Sequence, residues 1–539
     1  MFRRKALPAL VGTALAAGAL AVATDAAARI TKIEITSRTI AFGGYAFDGV
    51  GQFERIVGIA RGEINPADPR NAVITDIQLA PRNAAGRVEY AHNFYILKPL
   101  DPSKGNHKVM YEPPNRGGKT HGTLNRGAGG NDPGAVTDPA ILANTFLWPR
   151  GYTTVWSGWE DLGPLTGLTA TLSLPIAKNA DGTTITGPGY EYIVTSGAQF
   201  NLAYAAASNS KADAKLTHRV HLDDVPVVVP DAGWDYANAA LTQIKLTTGN
   251  FVGNDIYEFS YKAKDPKVAG IGFAAVRDFN SFLKYAATDD VGTPNPLAGD
   301  VTRIFTEISS QPGRLLNDYR HLGFNEDESG RKVLDGLMQW VAAADGINMN
   351  YRWSQSGRTE RNRQDHLYVE GVFPFANETL FDPISGKTDG RYLKCSQNGT
   401  CPLAMEFYSS NEYWVKAASL FHTDPMGTVD LPGHPLARLY NLASKQHGGA
   451  GNATTRGNCQ MLGNPLDSAE VQRAMFVALD EWSTKGIEPP ASAVPRLADK
   501  TMAPPLPQAG MGFPNIPGVT YTGLQTTRYR LNYGPTYYT

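Results

Sequence analysis

The stretch from Arg303 to Gly330 constrains the fold more than any other. Arg303-Ile304-Phe305-Thr306-Glu307-Ile308 is a short apolar, β-branched run that stops at Ser309-Ser310-Gln311-Pro312-Gly313. Leu315, Leu316, Tyr319 and Leu322 then recur at helical spacing. The pattern predicts strand, tight turn, helix, with a serine at the turn. A hydroxyl there stands clear of the sheet, and the first amides of the following helix face any negative charge that forms on a bound carbonyl. Nucleophilic acyl transfer needs that arrangement. A plain turn in an α/β protein can carry the same local sequence, so the rest of the chain has to decide.

Strand-like and helix-like segments alternate on both sides of this stretch. Ile30 to Thr36, Val73 to Ile77 and Tyr90 to Leu97 alternate apolar and polar residues and predict an N-terminal β region over 29–100. Lys108 to Glu112 and Gly151 to Trp159 predict strands of a first α/β segment, 101–164. From 165 to 251 threonine, valine, glycine and proline dominate without helical period, which predicts a β-rich insertion or cap. The α/β pattern resumes over 252–502, beginning with Ile256 to Tyr261. A helix follows with Val276, Phe279, Phe282, Leu283 and Ala286 on one face. Asp467 and Glu470 read as a capping box for a helix carrying Val471, Met475, Ala478, Leu479 and Trp482, closed at Lys485-Gly486. The tail, 503–539, is rich in proline and tyrosine and predicts a surface wrap. The fold class is α/β, a mostly parallel, doubly wound sheet covered on both faces.

The ends of the strands carry the chemistry. A serine hydroxyl becomes a nucleophile when a base takes its proton, and an acid must hold that base in one tautomer. In doubly wound sheets such groups gather at the carboxyl ends of strands, and in α/β-hydrolases they follow the chain order Ser, acid, His. Ser310, Glu412 and His447 meet both conditions: Glu412 follows the run Leu403 to Tyr408, and His447 follows Leu436 to Ser444 and precedes two glycines. Asp424, in His422-Thr-Asp-Pro425, is the alternative acid, although Asp-Pro reads as a turn. Spacing alone does not separate Ser309 from Ser310. Ser354 and Ser356, the second serine motif, have polar flanks and are assigned to a loop. For the oxyanion, the Gln311 amide supplies one donor. The loop Asn115-Arg116-Gly117-Gly118 supplies the other, with Gly117 and Gly118 as candidates because glycine admits close backbone approach. Trp156, Trp159, Phe373, Phe375 and Trp414 could line a pocket, though buried aromatics more commonly form core.

Several segments resemble a family of exported bacterial alpha/beta hydrolase domain-containing proteins: Ser310 to Arg314 with Gly323 to Arg331, Val276 to Leu283, Asn411 to Trp414 with Ser419 to Asp424, and Gln446-His447-Gly448. The likeness covers nearly all of the chain after the leader. It implies an α/β-hydrolase fold and an esterase-like activity. The family elbow reads Ser-Gln-Ser-Gly-Arg with a glycine two positions before the nucleophile, which implies Ser310 rather than Ser309. Two residues depart from it: Ile308 stands at the small-residue position and Pro312 at the second serine. A fainter likeness to glucuronoyl esterases implies a carbohydrate-linked ester as one substrate class.

Composition and the chain ends set the surroundings. Arg3-Arg4-Lys5, the uncharged run Ala6 to Ala23 and Ala26-Ala27-Ala28 form the pattern of a secretory signal over 1–28, so the expected location is the periplasm or the outside of the cell. No later run is long and apolar enough for a membrane span. A formal net charge of -1, with 42% hydrophobic residues, leaves no basic stripe for nucleic acid. Cys395 and Cys401 close a turn-rich loop suited to a disulfide in an oxidising compartment, leaving Cys459 over. A metal site is the rival reading of the pair, but no histidine lies at ligand spacing. No cofactor is expected, and the partner is a small-molecule or carbohydrate-linked ester.

Overall fold

The computed structural model describes residues 29–120, 123–342, 344–356, 371–457 and 461–524, without the side chains of Arg29 and Trp414. The expected leader, Cys459 and the last part of the tail lie outside the described residues.

Ten strands form the central sheet. Its first part is β1 (Arg29–Ile40), β2 (Phe53–Ile64), β3 (Val88–Pro99), β4 (Lys108–Glu112), β5 (Thr153–Ser157) and the short β6 (Leu172–Ser173). β1, β2, β3 and β5 pair antiparallel in that order, and β6 adds to β3. The N-terminal strands are therefore the antiparallel wing of the central sheet and not a sheet of their own. Val73 to Ile77 is not a strand. Turns and a short 3-10 segment occupy that region, and Ile74 and Ile77 are buried three residues apart, the spacing of one 3-10 turn.

The insertion supplies β7 (Thr186–Ile193), β8 (Gln199–Asn201), β9 (Ala214–Arg219), β10 (Val227–Val228), β11 (Trp234–Tyr236), β12 (Gln243–Leu246) and β13 (Ile256–Lys264). They form two small antiparallel sheets, ordered β10-β9-β13-β7 and β11-β12-β8. β13, expected to resume the central sheet, is instead an inner strand of the insertion. Its alternation of Tyr257, Phe259, Tyr261 and Ala263 buries one face in the insertion's own core with Trp234 and Leu216.

The central sheet continues with β14 (Arg303–Ser309) and β15 (Gly336–Trp340). After the small hairpin of β16 (Leu380–Asp382) and β17 (Lys387–Asp389) come β18 (Leu403–Ser409) and β19 (Ala437–Leu442). From β5 the order β5-β4-β14-β15-β18-β19 is parallel throughout. Among the described residues there are few helices. Of these, α1 (Pro139–Ala143), α4 (Leu393–Asn398), α5 (Ser410–Val415) and α7 (Gln508–Met511) are short. The long ones are α2 (Ile271–Tyr285), α3 (Gln311–Leu322) and α6 (Ala469–Lys485).

β-strand alternation sends Ile304 and Ile308 into one core with Phe279 of α2 and Leu315 and Tyr319 of α3. Phe305 and Met338 enter the opposite core with Phe476, Leu479 and Trp482 of α6. Both faces of the sheet are thus covered, as parallel strands require. On α6 the exposed Val471 departs from the expected apolar face, and Phe476 takes the buried place. Ser468 is the cap residue of α6, while Asp467 accepts the amides of Ser468 and Ala469 and Glu470 pairs with Arg126. The two halves of the expected capping box are therefore split. Gly486 closes the helix in the left-handed conformation. Cys395 and Cys401 are joined as a disulfide around the end of α4.

Candidate active site

Ser310 sits between the last residue of β14 and the first of α3, with φ 69° and ψ -118°. A serine pays conformational energy to hold positive φ, and the surrounding structure has to impose it. The Ser310 amide donates to the carbonyl of Trp340 at 2.9 Å, which carries the β14–β15 pairing one residue past the strand. The Gly313 amide turns back to the Ser310 carbonyl at 3.0 Å. Pro312 occupies the first turn of α3, where its missing N–H costs no intrahelical bond.

Ile308 does not crowd this turn. Its side chain is buried in the core on the α2 and α3 side. Gly313 makes the room: a Cβ on Gly313 would lie 3.2 Å from Ile308 Cδ1 and only 2.4 Å from Ala342 Cβ. The close approach of helix to strand, which a glycine two residues before the serine would allow, is obtained from the other side.

Three strand ends converge on the hydroxyl. His447 Nε2 lies 2.9 Å from Ser310 Oγ, and His447 Nδ1 lies 2.6 Å from Glu412 Oε1. Glu412 is fully buried at the start of α5, where Ser409, the last residue of β18, receives its amide as the helix cap. The loop after β19 is tied to the same place, since the Ser444 amide donates to Ser410 Oγ at 2.8 Å and Asn464 Nδ2 donates to the Ser444 carbonyl at 2.7 Å. The histidine loop and the glutamate turn thus share one anchor.

Asp424 is elsewhere employed: its carboxylate accepts the amides of Met426, Thr428 and Val429 and closes their turn. Burial pushes its carboxyl upward, but those amides outweigh it and hold the group below its ordinary range. Ser309 ends β14 in register with Trp340, and the imidazole contacts Ser310.

Asn115 to Gly118 is a tight turn beside the elbow. Arg116 and Gly117 both have positive φ, 49° and 76°, and the Gly118 amide donates to the Asn115 carbonyl at 3.1 Å, the signature of a type I′ turn. Asn115 Nδ2 reaches the Ser309 carbonyl at 3.4 Å. The Gly118 amide, expected as an oxyanion donor, is engaged inside this turn. Gly117 is required for packing: a Cβ there would lie 2.5 Å from Thr169 Cγ2. On the other side of the elbow, the Gln311 amide at the first position of α3 has no acceptor within its helix.

One functional candidate was missed in the sequence. Glu160, just past β5, is only 3% exposed, and its Oε2 lies 3.2 Å from Gln311 Nε2 and 3.4 Å from Ser356 Oγ. Gln311 Nε2 also donates to the Ser356 carbonyl at 2.7 Å. Burial raises the Glu160 carboxyl to about 7, against the opposing pull of Arg116. The signal was an acidic residue right after a buried apolar strand, the same signal that singled out Glu412. The Ser354–Ser356 loop is likewise a loop, as expected, but one that packs against the elbow.

Glu160 and Ser356 help to line a cavity of about 630 Å³, together with Trp159, Met349 and, from the insertion, Leu202 and Tyr204. Of the five aromatics named from sequence, Trp159 reaches this wall. Trp156, Phe373 and Phe375 belong to cores. Among the described residues no helix is long and apolar enough to cross a membrane, and no cluster of three metal-ligating side chains occurs.

A family model described as alpha/beta hydrolase domain matches residues 189–516, a span that includes Ser310, Glu412 and His447. No curated protein and no solved structure matches the chain.

Proposed function

Because this chain belongs to the alpha/beta hydrolase domain family, we propose that it is a serine hydrolase that cleaves a carboxylic ester through an acyl-enzyme on Ser310. The observation that carries this reading is the continuous hydrogen-bonded line from Ser310 Oγ through the imidazole of His447 to the buried Glu412. His447 Nε2 takes the hydroxyl proton as Ser310 Oγ attacks the ester carbonyl, and returns it to the departing alcohol. Glu412 holds Nδ1–H, fixing the tautomer and stabilising the imidazolium. The Gln311 amide, at the positive end of α3, receives the oxyanion, and the turn at Asn115–Gly118 offers the second donor through Gly117. Water then enters the same cycle and releases the acid.

The chain works as an exported protein of the periplasm or the cell exterior. The leader-like pattern over 1–28 supports this, and so does the Cys395–Cys401 bond, which persists in an oxidising compartment. Transfer of the acyl group to an alcohol instead of water would use the same three side chains. Ile308 and Pro312, the departures from the family elbow, would suit a catalytically inactive binding protein, but Ile308 is buried in the core and Pro312 fits the first turn of α3.

Ser310→Ala tests the assignment. Hydrolysis of 4-nitrophenyl acetate falls by about 10³-fold or more in the folded variant, whereas retained activity would remove Ser310 from the mechanism.

A further inference from the structure

Two acceptors on neighbouring buried side chains next to the elbow lack a well-formed hydrogen bond. Gln311 Oε1 has no hydrogen-bond partner among the described residues, and Glu160 Oε1 has none of good geometry, the Arg116 backbone N–H lying near the Glu160 carboxyl; yet Glu160 is 3% exposed and Gln311 fully buried. The opposite atoms of both side chains are engaged: Gln311 Nε2 bonds Glu160 Oε2 and the Ser356 carbonyl, and Ser356 Oγ bonds Glu160 Oε2. The pair is therefore held in one orientation, with Oε1 of each side chain short of a well-formed hydrogen bond. A buried polar atom left this way costs about 1–3 kcal/mol, a penalty that a ligand supplying a donor removes.

The place is a suitable one for a ligand. Glu160 forms part of the wall of the 630 Å³ cavity that the insertion and the Ser354–Ser356 loop also line, and Gln311, which contacts Glu160, is the residue adjoining Ser310. We propose that Glu160 is a specificity-determining residue of this hydrolase, receiving with Gln311 a hydroxyl group carried by the ester substrate. The inference rests on the serine-hydrolase reading above and adds the class of ester to it.

The charges around the site favour a neutral donor over an ammonium group. The Arg116 guanidinium lies close enough to pull the Glu160 carboxyl downward, and Lys267 lines the same cavity, paired with Asp161 at 2.7 Å. Positive charge is already supplied, and a substrate cation would meet both groups. Burial nevertheless keeps the carboxyl at about 7, so near neutrality it is available in both forms, and a hydroxyl can donate to one and accept from the other. The rest of the wall mixes aromatic and apolar faces, Trp159, Tyr204, Leu202 and Met349, with the hydroxyl of Ser356. Such a wall suits a compound with both C–H faces and hydroxyl groups.

The test uses two matched pairs of esters with the full-length mature protein. 2,3-Dihydroxypropyl butanoate is compared with propyl butanoate, which places the hydroxyls on the alcohol side. Methyl 3-hydroxybutanoate is compared with methyl butanoate, which places one on the acyl side. The wild type shows a kcat/KM preference of about tenfold or more for the hydroxylated member of at least one pair, and Glu160→Leu reduces that preference to within about threefold of unity. Equal rates for both members in both pairs would overturn the proposal with no variant needed, and so would a preference that survives Glu160→Leu. Labelling of wild-type Ser310 by a fluorophosphonate probe is measured alongside. A labelled Ser310 with no hydroxyl preference sinks the role of Glu160 alone, whereas an unlabelled Ser310 sinks the hydrolase reading and this inference together.

Discussion

The choice between two acids turns on single atoms. Glu412 offers His447 Nδ1 an oxygen at 2.6 Å, and Asp424 offers its oxygens to three backbone amides of its own turn. Glu412→Gln keeps the shape but lets the amide face the imidazole, so it no longer enforces the tautomer with its proton on Nδ1. A fall in kcat of about 10³–10⁴-fold is expected, by analogy with the loss of the acid in other triads. Asp424→Asn leaves kcat within about threefold, while the loosened turn lowers stability by about 1 kcal/mol. Steady-state kinetics and urea unfolding of the two variants separate these roles, and a large kcat loss in Asp424→Asn would reverse the assignment.

At the scale of elements, the elbow shows why some features were legible in the sequence and others were not. The strand, turn and helix from Arg303 to Leu322 were plain, because the apolar period changes from two to about four at a Ser-Ser-Gln-Pro-Gly break. Glu412 and His447 were found because each follows a buried strand, and parallel strands bring their carboxyl ends to one edge. The fit of Ile308 was not legible, since it depends on the packing of Gly313 against Ala342 and Ile308, which exists only in three dimensions. Gly313→Ala tests that account. With its new Cβ 2.4 Å from Ala342 Cβ, it is expected to cost about 1–3 kcal/mol of stability. It is also expected to lower kcat more than KM, because α3 must shift and carry Ser310 with it. A variant as stable and active as the wild type would show that helix and strand are not in close contact here.

At the scale of the whole molecule, the sequence conveyed the α/β class and the β-rich insertion but not how the parts join. β1 to β3 alternate in a way that fits a free sheet or a sheet's wing equally well, and β13 has the composition of a central strand although it belongs to the insertion. Pairing partners are long-range facts, and composition does not carry them. Buried carboxyls are another long-range consequence. Glu307, on β14, is raised to about 8 by burial with the nearby Glu112 adding to it, and Glu160 to about 7. The folded state keeps these protons where the unfolded chain, with carboxyls near 4.5, has released them. Their effect therefore lowers stability as pH rises from about 4.5 toward 8. Glu307→Gln cannot release a proton, so its urea midpoint gains on the wild type between pH 5 and pH 8. A difference that stays constant over that range would contradict the burial account.

All three scales meet at the Ser310 hydroxyl. Incubating the purified protein with a fluorophosphonate probe and mapping the modified peptide measures whether Ser310 is activated, because only a serine with a working base reacts quickly. The structure predicts rapid labelling at Ser310 and none in Ser310→Ala. A well-folded protein that stays unlabelled, or is labelled at Ser309, Ser354 or Ser356 instead, would contradict it.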